Sequence, residues 1–408
     1  MCSRILPGLS GTAVLVFSFM SQAPASSVVT YSEHIEPIIT AKCVPCHADG
    51  SVAPFKLDSY ELVRKHSGLV RFQSMSKAMP PIWATSERGK FGAIAPLTDE
   101  EIVLIQRWMQ GGMQEGDAQE SVKPRSELPA WKLDKKNITL DVFSESDKTL
   151  SEGAPYWRIQ SVPLLGMAFN LRGFYVEADA PSVVRSVSLA WVPANHPLAV
   201  AKNQESFGSM NLPGENLIGV WAPGYAAWQL PENAFLRIPA DATLVAQVLY
   251  RPTGKAESSR VRVHLQMSAT PKFRVHWRSA DYGDFVIPAG ASPVMKLDLP
   301  IKSGDKILAI WPEARFYATR YRVLADSESA KPVTLFDTMR WDPYWNGNYS
   351  FEEPIALGGG TKLTGEVGYS NDDRCLMNED RTPEPVPSGS GVRQEVFRLH
   401  VLVMSVTE

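Results

Sequence analysis

Apolar residues recur at helical spacing in two segments near the start of the chain. Ile35, Ile38 and Ile39 share one face of the segment 31–41, which predicts an amphipathic helix. A second helix is predicted over 102–111, because Thr98 and Glu101 form a capping-box pattern just before it. The two segments predict a small helical unit over 28–118.

The pattern changes to short alternating runs after residue 150. These runs predict β-strands, at 183–191, 244–250, 261–267 and 306–311. Turn-forming Pro and Gly recur between them, and no long helical period follows. We therefore predict a multidomain α plus all-β protein: the helical unit, a polar linker over 119–150, and two antiparallel, jelly-roll-like β-sandwiches over 151–275 and 276–408, divided near 270–285.

The first 25 residues have the pattern of a secretory signal peptide. An apolar stretch over 5–20 is followed by the small residues Ala23 and Ala25 around Pro24. The alternative is a retained membrane anchor, although the stretch is shorter than the ~20 residues that span a bilayer. We expect a soluble periplasmic or otherwise exported protein, with no transmembrane segment after cleavage.

Composition narrows the classes of partner. The formal net charge of −3 gives no electrostatic reason to expect nucleic acid or an anionic membrane surface as a partner. Removal of the signal leaves Cys43, Cys46 and Cys375. Three cysteines do not form a disulfide framework, so another use is expected for the closely spaced pair.

Cys43, Cys46 and His47 form a Cys-x-x-Cys-His motif, the pattern of covalent haem c attachment. The two thiols add to the haem vinyl groups, and the adjacent imidazole coordinates the iron. The alternatives are a thioredoxin-like dithiol, which does not need the histidine, and half of a zinc site, which needs a second ligand pair. The sequence therefore predicts one haem c per chain.

A sixth iron ligand is expected downstream. Met79 precedes Pro80 and Pro81, which hold the backbone extended and favour presentation of the thioether to the iron. The competing candidates are Met75, His34 and His66. With its two helices, its haem motif and the Met-Pro-Pro loop between them, the segment 28–118 resembles the class I cytochromes c.

Several short sequence segments after residue 150 resemble the copper type II ascorbate-dependent monooxygenases. This is the family of peptidylglycine α-hydroxylating and dopamine β-monooxygenase, and the resemblance is particularly to its bacterial members fused to a cytochrome. The segments that carry this resemblance lie at 221–224, 238–239, 245–255, 342–345, 349, 354, 360–361 and 369–371. The resemblance implies two sandwiches, each with one copper facing a shared cleft.

The copper ligands that this resemblance implies are mostly missing. His196 is the one residual copper ligand, whereas Leu249, Glu313, Arg315 and Val396 occupy positions where the family has His, His, His and Met. One imidazole does not hold copper in that geometry, so copper is not expected. Because Glu313 and Arg315 are two apart on a predicted strand, they are expected to face the same side and to pair.

The other histidines of the larger part are expected to be structural. His264 and His400 lie in predicted strands, and His276 lies near the predicted division between the sandwiches. The alternative is a different metal site made from His196, His264 and His400, for which the spacing gives no support.

The leading hypothesis is a periplasmic electron-transfer protein whose monooxygenase-like part serves for docking or ligand binding. Its expected partner is a periplasmic redox protein, with an intact copper enzyme or another oxidoreductase as candidates. One alternative is a true copper monooxygenase that receives electrons from its own haem. The other is a binding module for an apolar ligand or peptide, which the aromatic-rich stretch 341–351 favours.

Overall fold

The structure is a computed structural model that describes residues 28–405, except for short gaps at 50, 82–83, 93–95, 118–136, 144–147, 165, 223–227, 328–329, 339, 345–346, 374, 376, 379–381 and 392. The predicted signal peptide, 1–25, lies outside the described residues, and so does most of the predicted linker. No helix in the described ranges is long and apolar enough to cross a membrane.

The first helical segment begins with a π-helical turn, Tyr31–Ile35. The α-helices that follow are α1 (Glu36–Lys42), α2 (Tyr60–Lys65), α3 (Ser67–Met75) and α4 (Asp99–Gln110). The predicted capping box is confirmed, because the Thr98 side chain accepts from the Glu101 N–H and the Glu101 side chain accepts from the Thr98 N–H.

The helices pack around a small apolar core of their own. Ile35, Ile39, Val63 and Ile105 are almost completely buried there, together with Trp108. The indole N–H of Trp108 donates to the carbonyl of Gln114 at 2.9 Å, so its buried polar atom is satisfied. The apolar positions that predict the two outer helices are therefore the ones that hold α1 and α4 in one cluster.

Strands make up most of the remaining chain. Those of its first half are β1 (Ala84–Thr85), β2 (Asn137–Asp141), β3 (Tyr156–Pro163), β4 (Phe169–Ala178), β5 (Val184–Pro193), β6 (Gln204–Ser206), β7 (Leu217–Trp221), β8 (Trp228–Gln229), β9 (Ala234–Ile238), β10 (Ala242–Tyr250) and β11 (Val261–Met267). Those of its second half are β12 (Phe273–Asp281), β13 (Val286–Ile287), β14 (Val294–Pro300), β15 (Lys306–Glu313), β16 (Ala318–Ser327), β17 (Ala330–Thr338), β18 (Tyr349–Ala356), β19 (Lys362–Tyr369), β20 (Val386–Pro387) and β21 (Arg398–Met404).

The strands form two five-stranded sheets, one nine-stranded sheet and a small β13–β20 pair. The five-stranded sheets have the orders β6-β3-β10-β5-β7 and β1-β17-β16-β19-β14. The nine-stranded sheet has the order β18-β15-β21-β12-β9-β4-β11-β2, with β8 paired to β4. The prediction of a largely β protein with several antiparallel sheets is confirmed.

The nine-stranded sheet runs through both halves of the larger part. Strand β12, which covers much of the predicted division at 270–285, pairs antiparallel with β21 and parallel with β9. One apolar core includes residues of this sheet and of strands β3, β5 and β10, and a second includes residues of this sheet and of strands β16, β17 and β19. Strands β15 and β21 contribute to both cores, since Trp311 and Leu402 belong to the first and Ile310 and Val401 to the second. The strands around the first and the second core are called the first and second sandwich below.

A short segment after the helices α1–α3 is part of the second sandwich. We call residues 84–92 the tether. Strand β1 at its start pairs with β17, and Phe91 near its end forms a bridge with Phe351 of β18. Because β17 and β18 belong to different sheets, the tether contacts both sheets of the second sandwich.

Candidate functional site

The haem motif lies in one tight turn directly after α1. Cys43 is the C-terminal capping residue of that helix. The backbone N–H groups of Cys46 and His47 both donate to the carbonyl of Cys43, at 3.1 and 2.9 Å. The turn therefore gathers both thiols and the imidazole, and no disulfide joins Cys43 to Cys46.

The imidazole of His47 is oriented by a backbone group. Its Nδ1 lies 2.8 Å from the carbonyl oxygen of Phe55, and the two rings lie 4.8 Å apart. A proton on Nδ1 that donates to this carbonyl leaves the lone pair of Nε2 free to bind a metal, and histidines that ligate metals are commonly oriented in this way. Burial lowers the pKa of His47, and the hydrogen bond to Phe55 offsets only part of this effect. The lowered pKa favours the neutral imidazole, which is the form that binds a metal.

The two thiols are protonated near neutral pH. Burial raises the pKa of Cys43 to about 12 and that of Cys46 to about 11. A catalytic dithiol needs the opposite, a thiolate stabilised by a lowered pKa. The environment of this pair therefore disfavours the thioredoxin-like alternative and is compatible with thioether attachment.

Large apolar side chains are exposed on and after α3. Leu69, Phe72 and Met75 follow one another at intervals of three along this helix, with exposed fractions of 50%, 67% and 48%. Met79 is 43% exposed. Such a concentration of exposed apolar surface is typical of a site that a ligand or partner covers. An apolar macrocycle such as haem fits this requirement.

Met79 lies just beyond α3, where its backbone N–H donates to the carbonyl of Gln73 at 3.3 Å. Met75 is the last residue of the same helix. His66 stacks on Phe55 at 4.4 Å, so it shares a ring neighbour with His47, whereas His34 Nδ1 accepts from the backbone N–H of Thr30 at 3.3 Å. The pairing of Met79 with His47 stays a prediction.

The positions where the monooxygenase resemblance implies copper ligands have other roles. Leu249 and Val396 are apolar, buried side chains. Arg315, only 2% exposed, donates from Nη1 to the carbonyls of Gly389 and Gly391 at 3.2 and 2.5 Å. A buried guanidinium repels a metal cation, so this position opposes copper electrostatically.

The expected pairing of Glu313 with Arg315 is wrong. Glu313 pairs instead with His400 Nε2 at 3.2 Å and with Arg398 Nη1 at 3.4 Å. Arg315 follows the end of β15, and its guanidinium lies against the 389–391 turn. The end of the strand breaks the two-residue alternation on which the expectation rested.

Sequence reasoning missed a buried polar network that includes Glu313. His400 Nδ1 lies 2.6 Å from Ser279 Oγ, its register partner on β12, and Arg398 also binds Asp281 at 2.5 Å. Burial alone would raise the pKa of Glu313, but the His400 hydrogen bond and the Arg398 charge lower it to about 2. The sequence feature that could have revealed this network is the pair Arg398 and His400, which lie two residues apart in β21. Polar side chains at such positions are unusual in a central strand.

Glu395 is a second buried carboxylate that sequence reasoning missed. It is completely buried, and it accepts from the backbone N–H groups of Arg315, Tyr317 and Val396. Burial outweighs these bonds and raises its pKa to about 7. A carboxylate committed to three backbone donors has a structural role in fixing the loop around Arg315.

Three histidines of the larger part, His196, His264 and His400, have hydrogen-bond partners of their own. His196 Nδ1 accepts from the Leu198 N–H at 3.1 Å and so caps a short 3-10 turn. His264 is held by Thr139 and Glu177, and His276 is half-buried with its pKa lowered by burial. Across the described ranges no group of three or more His, Cys, Asp or Glu side chains is arranged to hold a metal.

Aromatic side chains fill the contact between the two sandwiches near Glu313. Trp157 of β3 stacks on Tyr344 at 5.4 Å and meets Phe316 edge-on at 6.0 Å. The cavity beside them, which Glu313 and Arg315 also line, measures about 10 Å³. This is room for about one water molecule and not for a substrate.

Three of the aromatic side chains in the described part of the stretch 341–351 belong to the core. Trp341, Tyr349 and Phe351 are each at most 8% exposed and pack in the second sandwich. The Trp341 indole N–H donates to the carbonyl of Arg315 at 3.1 Å. The described part of this stretch therefore gives no support to the alternative of an apolar ligand or peptide site.

Comparisons with known proteins give no family assignment. No protein-family model and no curated protein matches the chain. Among solved structures, the major capsid protein P2 from bacteriophage PM2 is similar with 9% identity and a TM-score of 0.26, over 67% of this chain and 98% of that one. The STIV MCP is similar with 10% identity and a TM-score of 0.17, over 57% and 91% of the two chains. Likeness at these TM-scores carries no argument about function.

Proposed function

We propose that the protein is an exported electron-transfer protein that carries one covalently attached haem c. The observation that carries this proposal is the turn that gathers Cys43, Cys46 and His47, with His47 Nδ1 held by the Phe55 carbonyl at 2.8 Å. Bound haem supplies a one-electron couple, and these residues hold it covalently and ligate its iron. The helical unit is in this proposal a class I cytochrome c domain, and export places it in the periplasm.

The two sandwiches serve in this proposal as a docking or ligand-binding scaffold of copper-monooxygenase-like descent. Support comes from Arg315, whose buried guanidinium opposes a cation at a position where the family has histidine, and from the aromatic contact around Trp157, beside which the cavity measures only about 10 Å³. The partner is a periplasmic redox protein, for which an intact copper enzyme and another oxidoreductase are the candidates. The rival, a copper monooxygenase fed by its own haem, rests on the sequence resemblance alone.

Met79→Ala is expected to remove the sixth iron ligand. The oxidised wild-type protein should show the weak far-red absorption band of sulfur-to-iron coordination, and the variant should lack this band. Its reduction potential should also fall, because the thioether favours the reduced iron. Absorption spectroscopy and a redox titration measure both effects.

Met75→Ala is the matched control for this prediction, since it removes an equally exposed thioether at the end of α3. The band should survive in this control. Loss of the band in Met75→Ala and its survival in Met79→Ala would assign the ligand to Met75. A wild-type protein with covalent haem but no band would favour a histidine ligand, with His66 the first to replace.

Added copper is expected to leave the melting temperature of the haem-loaded protein unchanged. An ion that binds only the native state must raise the melting temperature. At a concentration one hundred times its dissociation constant, it would increase the free energy of unfolding by about 2.7 kcal/mol. His196→Ala should behave like wild type with and without copper. Stoichiometric copper in the purified protein, or ascorbate-dependent oxygen consumption that His196→Ala abolishes, would restore the monooxygenase rival.

A further inference from the structure

We propose that the second sandwich, acting through the tether, fixes the loop that presents Met79 to the haem iron, and that Phe91 is the main positioning residue of this coupling. The inference rests on the proposed function and adds to it a structural control of the sixth ligand by the larger part of the chain. It is carried by backbone pairing, side-chain packing and the short distance along the chain between Met79 and the tether.

The start of the tether is built into a sheet of the second sandwich. Ala84 and Thr85 stand opposite Thr338 and Asp337 of β17, and Ala84 is 3% exposed within the core. Asp337 is itself held by Arg320, whose two nitrogens lie 3.0 and 2.6 Å from the carboxylate oxygens. The edge that receives the tether is therefore braced from inside the sheet.

The middle of the tether adds hydrogen bonds at both sheets. Glu87 engages Thr334 twice, since its N–H donates to the Thr334 carbonyl and its carboxylate accepts from the Thr334 N–H, each at 2.9 Å. On the opposite side, the N–H of Glu352 donates to the carbonyl of Lys90 at 2.8 Å. Contacts with two separate sheets resist both sliding and rotation of the segment.

Phe91 supplies the apolar anchor at the end of the tether. Its ring stacks on Phe351 at 4.9 Å and packs edge-on against Tyr349 at 5.5 Å and Phe336 at 6.2 Å. Aromatic groups arranged in this way stabilise a contact by more than the area that they bury. Loss of the ring would therefore loosen the tether more than the loss of any one of its backbone bonds.

The chain between Met79 and the tether is short enough to link their positions. Ala84 follows Met79 by 84 − 79 = 5 residues, which span at most about 17 Å when fully extended. Pro80 and Pro81 fall within this stretch and restrict its backbone further. A fixed Ala84 therefore limits where the Met79 thioether can go, and this lowers the entropy lost when it binds.

The test compares Phe91→Ala with Phe285→Ala in the haem-loaded, full-length protein. Phe285 packs beside the same core, and its ring contacts are with Tyr282 and Tyr369, which lie outside the tether, so it controls for a general loss of packing. Imidazole is the probe, because it competes with the sixth ligand for the iron. Phe91→Ala should bind imidazole about tenfold more tightly than wild type, which corresponds to about 1.4 kcal/mol.

The far-red band of Phe91→Ala should also disappear at a lower imidazole concentration, and Phe91→Leu should restore wild-type behaviour. Phe285→Ala should match wild type in both measurements. If Phe91→Ala does not fold, Glu87→Ala replaces it, with a smaller shift in the same direction. Equal imidazole affinity in Phe91→Ala, Phe285→Ala and wild type would overturn the inference. Absence of covalent haem from wild type would instead overturn the proposed function, so the two failures are distinguishable.

Discussion

Alanine at both Cys43 and Cys46 is expected to abolish covalent haem attachment. The two thiols provide the thioether bonds of the proposed site, and the turn that gathers them offers no other nucleophile beside His47. After co-expression with the cytochrome maturation machinery, a haem stain on a denaturing gel and a pyridine haemochrome assay measure the attached haem. Wild type should carry one equivalent, and the double variant should carry none.

Cys375→Ala provides the matched control for this double substitution. Cys375 is a half-buried thiol that packs beside the core of the second sandwich. It has the same thiol group as Cys43 and Cys46 but lies outside the proposed haem site. The control should retain one equivalent of haem. Attached haem in the double variant, or none in wild type with the maturation machinery present, would contradict the assignment of the motif.

Glu313→Gln is expected to remove a large part of the loss of stability at acid pH. The pKa of Glu313 is lowered to about 2 in the folded protein from a usual value of 4.5. Because the unfolded chain takes up this proton first, the stabilisation is complete above about pH 4.5 and is lost as the pH falls towards 2. A shift of this size corresponds to roughly 3 kcal/mol.

Urea unfolding, followed by tryptophan fluorescence between pH 6 and pH 2, measures this contribution. The variant should be less stable at pH 6, since it leaves Arg398 and His400 without their buried carboxylate, and its stability should change less on acidification. Glu177→Gln is the control, because Glu177 also pairs with an arginine and a histidine, but its side chain is 46% exposed. Solvent screening should make its effect small. Parallel acid curves for wild type and Glu313→Gln would disprove the assigned role.

Local features of the fold could be predicted from the sequence, whereas pairings over long separations could not. The Thr98 capping box lies within four residues, and β11 has the same bounds in the structure as in the prediction, because apolar alternation is a local signal. The parallel pairing of β9 with β12, which makes the nine-stranded sheet continuous, leaves no such signal. The tether was missed for the same reason, since β1 has only two residues and pairs far along the chain.

The candidate site shows the same division. The haem motif is contiguous, so spacing alone identifies Cys43, Cys46 and His47, while the Phe55 carbonyl that orients His47 becomes visible only in three dimensions. The partners of Glu313 lie 85 and 87 residues away. A sequence pattern suggested Arg315, its nearest cationic neighbour along the chain, and only the end of β15 shows why that choice is wrong.

The position of β21 has a consequence for the order in which the protein can fold during synthesis. This strand comes last among the described strands, yet it lies between β12 and β15 in the nine-stranded sheet. Strand β12 is made more than a hundred residues earlier, as the 117-residue separation of Asp281 and Arg398 shows, and its backbone edge on that side has no partner until β21 follows. Until β21 has been made, this open edge can pair with other chains, since an exposed strand edge is prone to aggregation.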